Sequence, residues 1–478
     1  MSAPIPARAR PDPVPAVVMV LFLLAHLPGL TQPPLDDHAW RQTDTAAVAR
    51  NFSEEDTDIL HPRVDARGEH SGITGMEFPL FNWGIHAVNS VAGFAHWHGR
   101  VLSLLAGLWG LWNLYLLGRR RYDVTTGRAA MMALATSPLF FFNARQVQPD
   151  VLMVSAGIAA LFHATQYAAG GRARHLLGTV GWLGLACLVK VTAVFVGIPV
   201  LAVLWRARRL GVREFAAAVL LVGLPVTAWY LHSLHLSRDF GLAGHFNLQE
   251  NPRVLLTASY WLHVFALRIP SSVITLIGAL LALLGARRAW HTRDELAGAW
   301  LGAILLFQLV FPEKTHAHVY YSLPLTAPLA LLAARGLPDV LERAGRRAWV
   351  PGALVLAMAL NTAVRVRNWY RVDAPELARL EAFLDGKVPP DARVVVNGGP
   401  APVLVYFSHR KGFTARGAEM DPAWFADKRA RGARFFIEHV RAEHGPPAVA
   451  LPKACRVAED ADFRVFRLDE GCPGPDPR

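Results

Sequence analysis

Between Leu35 and Phe52 the chain reads LDDHAWRQTDTAAVARNF, which sets Asp36, Asp37 and Asp44 beside His38, Arg41, Gln42 and Arg50. The cluster directly follows an apolar run from about Val14 to Leu30. Carboxylates are costly to bring near lipid, so acids at such a position form either a solvated helix cap or a place where protons and charge are handled. Other ionisable residues recur beyond later apolar runs: Glu77 in MEFPLFNW, Asp150 in RQVQPDVLM, Lys190 in LVKVTA, and Lys314, His316 and His318 ahead of Tyr320 and Tyr321. This recurrence favours a reaction site, where a carboxylate accepts a proton and cations hold an anion.

The elements that must hold these residues are membrane helices. The chain has 478 residues, 53% of them hydrophobic, and its net charge of +12 falls in short basic clusters between apolar runs. That alternation is how cytoplasmic loops of a multi-pass protein look, and it argues against nucleic acid as a partner. Three cysteines without a CxxC or Cys/His pattern encode neither a structural zinc site nor a disulfide framework. The first apolar run lacks a small-residue cleavage pattern and reads as an uncleaved anchor.

Placing basic clusters inside gives a polytopic α-helical membrane protein of about 11 transmembrane helices, with its start inside and its end outside. A large first outer loop, residues 32–96, carries two expected surface helices, Asp44 to Phe52 and Phe78 to Phe94. Asp150 follows the outward third span, and Lys190 sits at the outer apex of an out-and-back pair, Leu176 to Val189 and Val191 to Trp205. A second outer loop, 239–270, holds His245, Asn247, Glu250, Arg253 and Trp261. The division expected is a membrane domain over residues 14–365 and a small C-terminal extracytoplasmic α/β domain over 370–478. Within the tail, Arg393 to Asn397 and Val403 to Phe407 read as strands, Pro375 to Leu384 and Trp424 to Arg431 as helices. Cys455 and Cys472 both lie there and would pair in an oxidising compartment.

Taken in order, DDHAWRQTDTAAVARNF, MEFPLFNW, RQVQPDVLM, LVKVTA and HVYYSLPLTAPLAL resemble motifs of the integral-membrane glycosyltransferases related to protein O-mannosyltransferases and the lipid A aminoarabinose transferase. The resemblance covers roughly residues 14 to 365 and leaves the tail out. It implies a polyprenyl-phosphate-linked sugar as donor, a lipid, glycan or protein acceptor, and a bacterial cytoplasmic membrane with the active site outside. It also implies an acid of the first outer loop as base, matched by Asp44 or Asp37, and a second acid at the fourth span, matched by Asp150. The family's Glu-base-Pro is met by Glu77, Phe78 and Pro79, so Phe78 stands where a phosphate-holding cation is expected.

Transfer of a sugar from a lipid phosphate asks for a base, for cations at the leaving phosphate, and in some relatives for a metal. Asp44 fits the base, its plainer role being an N-cap; Asp37 reads equally as a solvated loop acid. Lys190, Arg41 and Arg145 are the phosphate candidates, against simple snorkelling at the interface. Glu77, His316 and His318 would hold a divalent metal. Tyr320, Tyr321 and Trp83 would line the substrate, or belong to an interfacial aromatic belt. The rival activity is a transporter or flippase of lipid-linked sugars, which calls for charges along the midplane of several spans.

Overall fold

The computed structural model describes residues 12–242, 250–345 and 347–469. Its helical body runs α1 (Pro13–His26), then, after a loop bearing α2 (Ala39–Glu54) and α3 (Leu80–Ala92), α4 (His98–Arg121), α5 (Val124–Ala135), α6 (Pro138–Asn143), α7 (Asp150–Gly170), α8 (Ala173–Val189), α9 (Gly197–Arg206) and α10 (Val212–Asp239). A short α11 (Ala258–Tyr260) leads into a π-helical stretch, Trp261–Val273, followed by α12 (Thr275–Thr292), α13 (Glu295–Val310), α14 (Pro312–Ala317), α15 (Thr326–Arg343) and α16 (Trp349–Val366). Four of these, α4, α7, α10 and α16, are long and apolar enough to cross a membrane, and the pair 258–273 and 275–292, bent by 111°, makes a fifth. Shorter apolar helices, α1, α8, 191–206 and α13, fill the same body. The chain is a multi-pass membrane protein.

Two expected crossings are broken rather than straight. The stretch from Arg128 to Gln148 divides into α5 and α6 because Ser137 accepts the Phe140 N–H and Pro138 starts a new helix. The stretch from Leu323 begins as a 3-10 turn, Val319–Leu325, before α15 takes over.

In the first loop α2 starts five residues earlier than the motif suggested. His38 is its N-cap, at φ 60°, so Asp44 lies inside the helix and caps nothing. Nor is α2 a surface helix, since every residue from Arg41 to Phe52 is buried. A polar helix buried all round must find partners, and they come from both sides. Asn82 of α3 donates to Thr45 O at 2.8 Å, and the C-terminal region covers the opposite face.

That region holds α17 (Leu380–Leu384), β1 (Arg393–Val396), α18 (Val403–Ser408), β2 (Lys411–Thr414), α19 (Pro422–Ala430), β3 (Phe435–His439), β4 (Arg456–Glu459) and β5 (Phe463–Arg467). The sheet order is β2-β1-β3-β5-β4, with β1 parallel to β2 and β3 and the remaining pairs antiparallel. Val394, Val395 and Val396 are fully buried, as a central strand covered on both faces requires. The expected strand 403–407 is instead α18: five apolar residues give no period to tell the two apart, and burial of the whole segment favours a helix that satisfies its own backbone.

The tail is sewn to the first loop. Gly412 N–H donates to Asp65 O at 3.2 Å and Gly68 N–H to Gly412 O at 2.8 Å, so residues 65–68 run along the exposed edge of β2. Gly68, at φ +59°, admits no side chain because a Cβ would meet the Phe413 ring at 2.9 Å. Beneath this seam Arg50 reaches Asp65 at 2.6 Å, and Lys411 meets the same carboxylate at 2.5 Å. Cys187 is a free buried thiol. His245, Asn247 and Cys472 lie outside the described residues, as does the expected Cys455–Cys472 pair.

Candidate functional site

One turn of α2 carries Arg41 and Asp44 on a single face, Nη1 to Oδ2 4.0 Å. Arg41 also forms a close ion pair with Glu77, whose segment is pinned by hydrogen bonds from Trp229 Nε1 (3.1 Å) and Ser233 Oγ (3.0 Å) to Met76 O. Asp150 opens α7 and accepts a hydrogen bond from Lys190 Nζ at 2.5 Å. Lys190 occupies the extended break between α8 and the 3-10 turn Val191–Val196, where Tyr230 Oη accepts the Val191 N–H at 2.9 Å. Its ammonium lies over the rings of Tyr321 (4.5 Å) and Tyr320 (5.0 Å).

These side chains share one cavity of about 390 Å³. Arg41, Asp44, Glu77, Lys190, His318, Tyr320 and Tyr321 line it, together with Trp40, Lys314, Ala66 and, from the tail, Pro400, Pro402 and Thr414. Four distant segments of the sequence therefore meet where the motifs were singled out. Trp40 and the three tail residues were not anticipated. Trp40 is four residues ahead of Asp44 and would have been placed on its face had the helix been started at Ala39. The tail residues carry no motif at all.

Other candidates go elsewhere. Asp37 accepts the backbone N–H of His38 at 3.1 Å on a half-buried loop and does not line the cavity. Arg145 is fully buried in an ion pair with Asp36, which Arg100 also grips through both oxygens at 3.1 Å, and its guanidinium lies 3.9 Å from the Tyr370 ring centre. It braces the loop and is closed off from any phosphate. Trp83 is exposed on α3, and Arg253 is exposed as well. His316 turns to Ser259 Oγ at 3.2 Å, so the three expected metal ligands do not converge, and Glu77 is held by Arg41. Among the described residues no group of three or more His, Cys, Asp or Glu side chains is placed to hold a metal. As placed, these residues do not form a metal site.

Burial works against the charge of Arg41, but Glu77, Tyr320 and Asp44 together hold its pKa above the usual arginine value. Burial, with His38, Lys190 and Arg41 nearby, pushes His318 below the usual histidine range, so its imidazole is neutral at pH 7. Glu77 Oε2 and Asp150 Oδ2 are buried and accept no hydrogen bond among the described residues.

In this fold polar loops and the C-terminal sheet roof a helical membrane body over one cavity. A family model described as dolichyl-phosphate-mannose-protein mannosyltransferase matches residues 76–231. The undecaprenyl phosphate-alpha-4-amino-4-deoxy-L-arabinose arabinosyl transferase of Pseudomonas paraeruginosa is 27% identical over 295 residues, 57% of this chain and 52% of that enzyme. The chain thus spans about half the length of this curated relative. The crystal structure of ArnT from Cupriavidus metallidurans superposes at TM-score 0.64 and 15% identity in the apo state, covering 96% of this chain and 99% of that one. The form bound to undecaprenyl phosphate gives 0.61 at the same identity and coverage. The resemblance read from the motifs is borne out: this chain is similar to the polyprenyl-phosphate-sugar-dependent membrane glycosyltransferases. The likeness in fold also takes in the tail, which the motifs had left out.

Proposed function

We propose that the protein is an inverting glycosyltransferase that moves one sugar from a polyprenyl-phosphate carrier to a lipid, glycan or protein acceptor. The observation that carries this reading is the single cavity in which Asp44 faces Arg41, Lys190 and two tyrosines. Asp44 takes the proton of the acceptor hydroxyl or amine as that atom attacks the anomeric carbon. The carrier phosphate departs from the opposite face of the sugar, and Lys190, Arg41 and Lys314 balance the charge that develops on it. Asp150 acts through Lys190, holding its ammonium at the wall of the cavity. One displacement inverts the anomeric centre, because retention would need a second carboxylate acting as nucleophile.

The same reading assigns eleven crossings, counting α5–α6 and the 3-10 turn with α15 as one each, a membrane domain over 14–365 and an extracytoplasmic domain over 370–478. It places the cavity and tail on the outer face of a bacterial cytoplasmic membrane. The relatives' names supply the carrier class, undecaprenyl phosphate, and an aminopentose as the first sugar to try. A flippase is disfavoured because Arg41, Asp44, Glu77 and Lys190 gather at one cavity instead of lining a path between helices.

The test is transfer by the purified chain in liposomes, supplied with labelled polyprenyl-phosphate sugars and membrane acceptors. Labelled acceptor, formed by the wild type and lost in Asp44→Asn, supports the reading. Wild-type rates in both Asp44→Asn and Asp150→Asn would overturn the assignment of the base and its partner.

A further inference from the structure

A second cavity, of about 290 Å³, opens on the seam between the first loop and the sheet. Its wall carries Arg67, His70, Arg393, Lys411 and Arg434 against one acid, Asp391. Three of these cations stand abreast in the sheet. Arg393 opens β1 in register with Lys411 of β2, and Arg434, the residue before β3, donates its backbone N–H to Arg393 O at 2.9 Å. Neighbouring strands lie roughly 4.8 Å apart. Like charges held side by side at that spacing destabilise a sheet unless something answers them.

Part of the charge is answered from within. Lys411 meets Asp65 at 2.5 Å, Arg67 pairs with Glu55, and Glu69 nearby is engaged by Arg431 at 3.0 Å. The other two arginines are not neutralised in this way. Arg393 donates to carbonyls only, Arg431 O at 2.7 Å and Glu69 O at 3.4 Å, and Arg434 has no carboxylate at ion-pair distance among the described residues. Two guanidinium forks side by side, backed by an ammonium, suit an anion with several oxygens and up to two charges.

We infer that this seam cavity binds a phosphate group, with Arg393 and Arg434 as its principal ligands. The cavity adjoins the one that holds Asp44. Strand β2 sends Lys411 into the seam cavity and Thr414 into the other, three residues apart, or roughly 10 Å along a strand. Residues 66 and 67 of the first loop divide between the two in the same way. A phosphate carried on the acceptor, apart from its reacting hydroxyl, is the source of that anion that fits a cavity sharing β2 and the first loop with the one that holds Asp44. This link to the acceptor rests on the transferase reading; phosphate binding itself does not.

The experiment titrates inorganic phosphate and glucosamine phosphate into the full chain in detergent, at ionic strength held constant with chloride, by calorimetry and thermal unfolding. Phosphate is expected to bind the wild type and raise its Tm. The Arg393→Gln/Arg434→Gln variant is expected to lose at least tenfold in affinity and to start from a higher Tm in chloride, because the row of charge is relieved. Arg431→Gln, outside the cavity, is expected to bind as the wild type does. Should the double variant not fold, Arg434→Gln, an exposed substitution, makes the same comparison. Absence of phosphate-specific binding, or equal affinity in the variants, overturns the site. In transfer assays the acceptor link predicts a raised KM for a phosphorylated acceptor with kcat and donor KM unchanged. An unchanged acceptor KM alongside lost phosphate binding would assign the site to free phosphate and overturn that link. A wild type without turnover would instead mark failure of the transferase reading.

Discussion

Asp44 and Asp37 are seven residues apart in one motif, and the fold gives them different surroundings. Asp44 is 4% exposed and lines the cavity, whereas Asp37 is half-buried on a loop and bonds the backbone of its neighbour. Asp44→Asn should lower kcat by about 10²–10⁴-fold, the usual worth of a positioned base. Asp37→Asn should leave it near the wild-type value; transfer assays on the two purified variants decide. Asp150 calls for a different measurement because its work is to neutralise Lys190. Removing one partner of a buried pair strands the other charge at a cost of about 3–5 kcal/mol. Asp150→Asn should thus unfold at markedly lower denaturant than Asp44→Asn, while Asp150→Asn/Lys190→Met should regain stability without regaining transfer. Arg41, Asp44, Glu77, Lys190, His318, Tyr320 and Tyr321 were legible because each stands in a motif beside an apolar run, whereas Pro400, Pro402 and Thr414 on the same wall carry none. Arg145 misled for the same reason: an arginine beyond an apolar run looks available until Asp36 and Tyr370 are seen closing over it.

At the scale of elements, the existence of α2, α3, β1 and α19 could be read from spacing and composition, but what surrounds them could not. The polar sequence of α2 suggests a surface helix, and only the tail folded over it explains why twelve consecutive residues are buried. Contacts between residues 50–68 and 406–413 join segments more than three hundred positions apart, and no local pattern announces them. The seam should also respond to pH through its histidines. His409 joins Glu381 and Glu54, the latter at 2.6 Å, and these bonds raise its pKa above the ordinary value of about 6.5. Its contribution to docking is therefore complete below that value and lost as pH climbs through the raised one. His96, bonded to Tyr406 Oη at 2.7 Å, is pushed down by burial to about 4, so its contribution disappears as pH falls through about 4. Burial opposes the charge of Asp65, but Arg50 and Lys411 hold it near 2, so its contribution declines as pH falls below the ordinary aspartate range and is lost as pH falls through about 2. Protection of the amides over residues 406–414, taken as exchange relative to the intrinsic rate at each pH, should accordingly be greatest near pH 6.5, falling as pH drops toward about 4 and as it climbs through the raised value of His409. His409→Gln should remove the upper limb of that profile and leave the lower one in place.

The seam constrains the whole molecule as well. The first loop follows the first crossing and the tail follows the last, yet Arg50, Asp65 and Lys411 join them in one buried cluster. Both must lie on one side of the membrane, since a buried ion pair cannot span a bilayer. An even number of crossings must then separate them, and with the first added the total is odd. The eleven segments assigned above satisfy this parity, ten or twelve would not, and the conclusion does not depend on charge counts in the loops. On the proposed topology, with α1 as a crossing, the segment ahead of α1 and the tail face opposite sides. Cysteines introduced at Asp391, in the tail, and at Arg10, ahead of α1, give the measurement in intact cells with an impermeant thiol reagent. Labelling is expected at 391 and, at position 10, only after the cells are opened. Labelling of both in intact cells would mean an even number of crossings and would undo both the topology and the shared roof over Asp44.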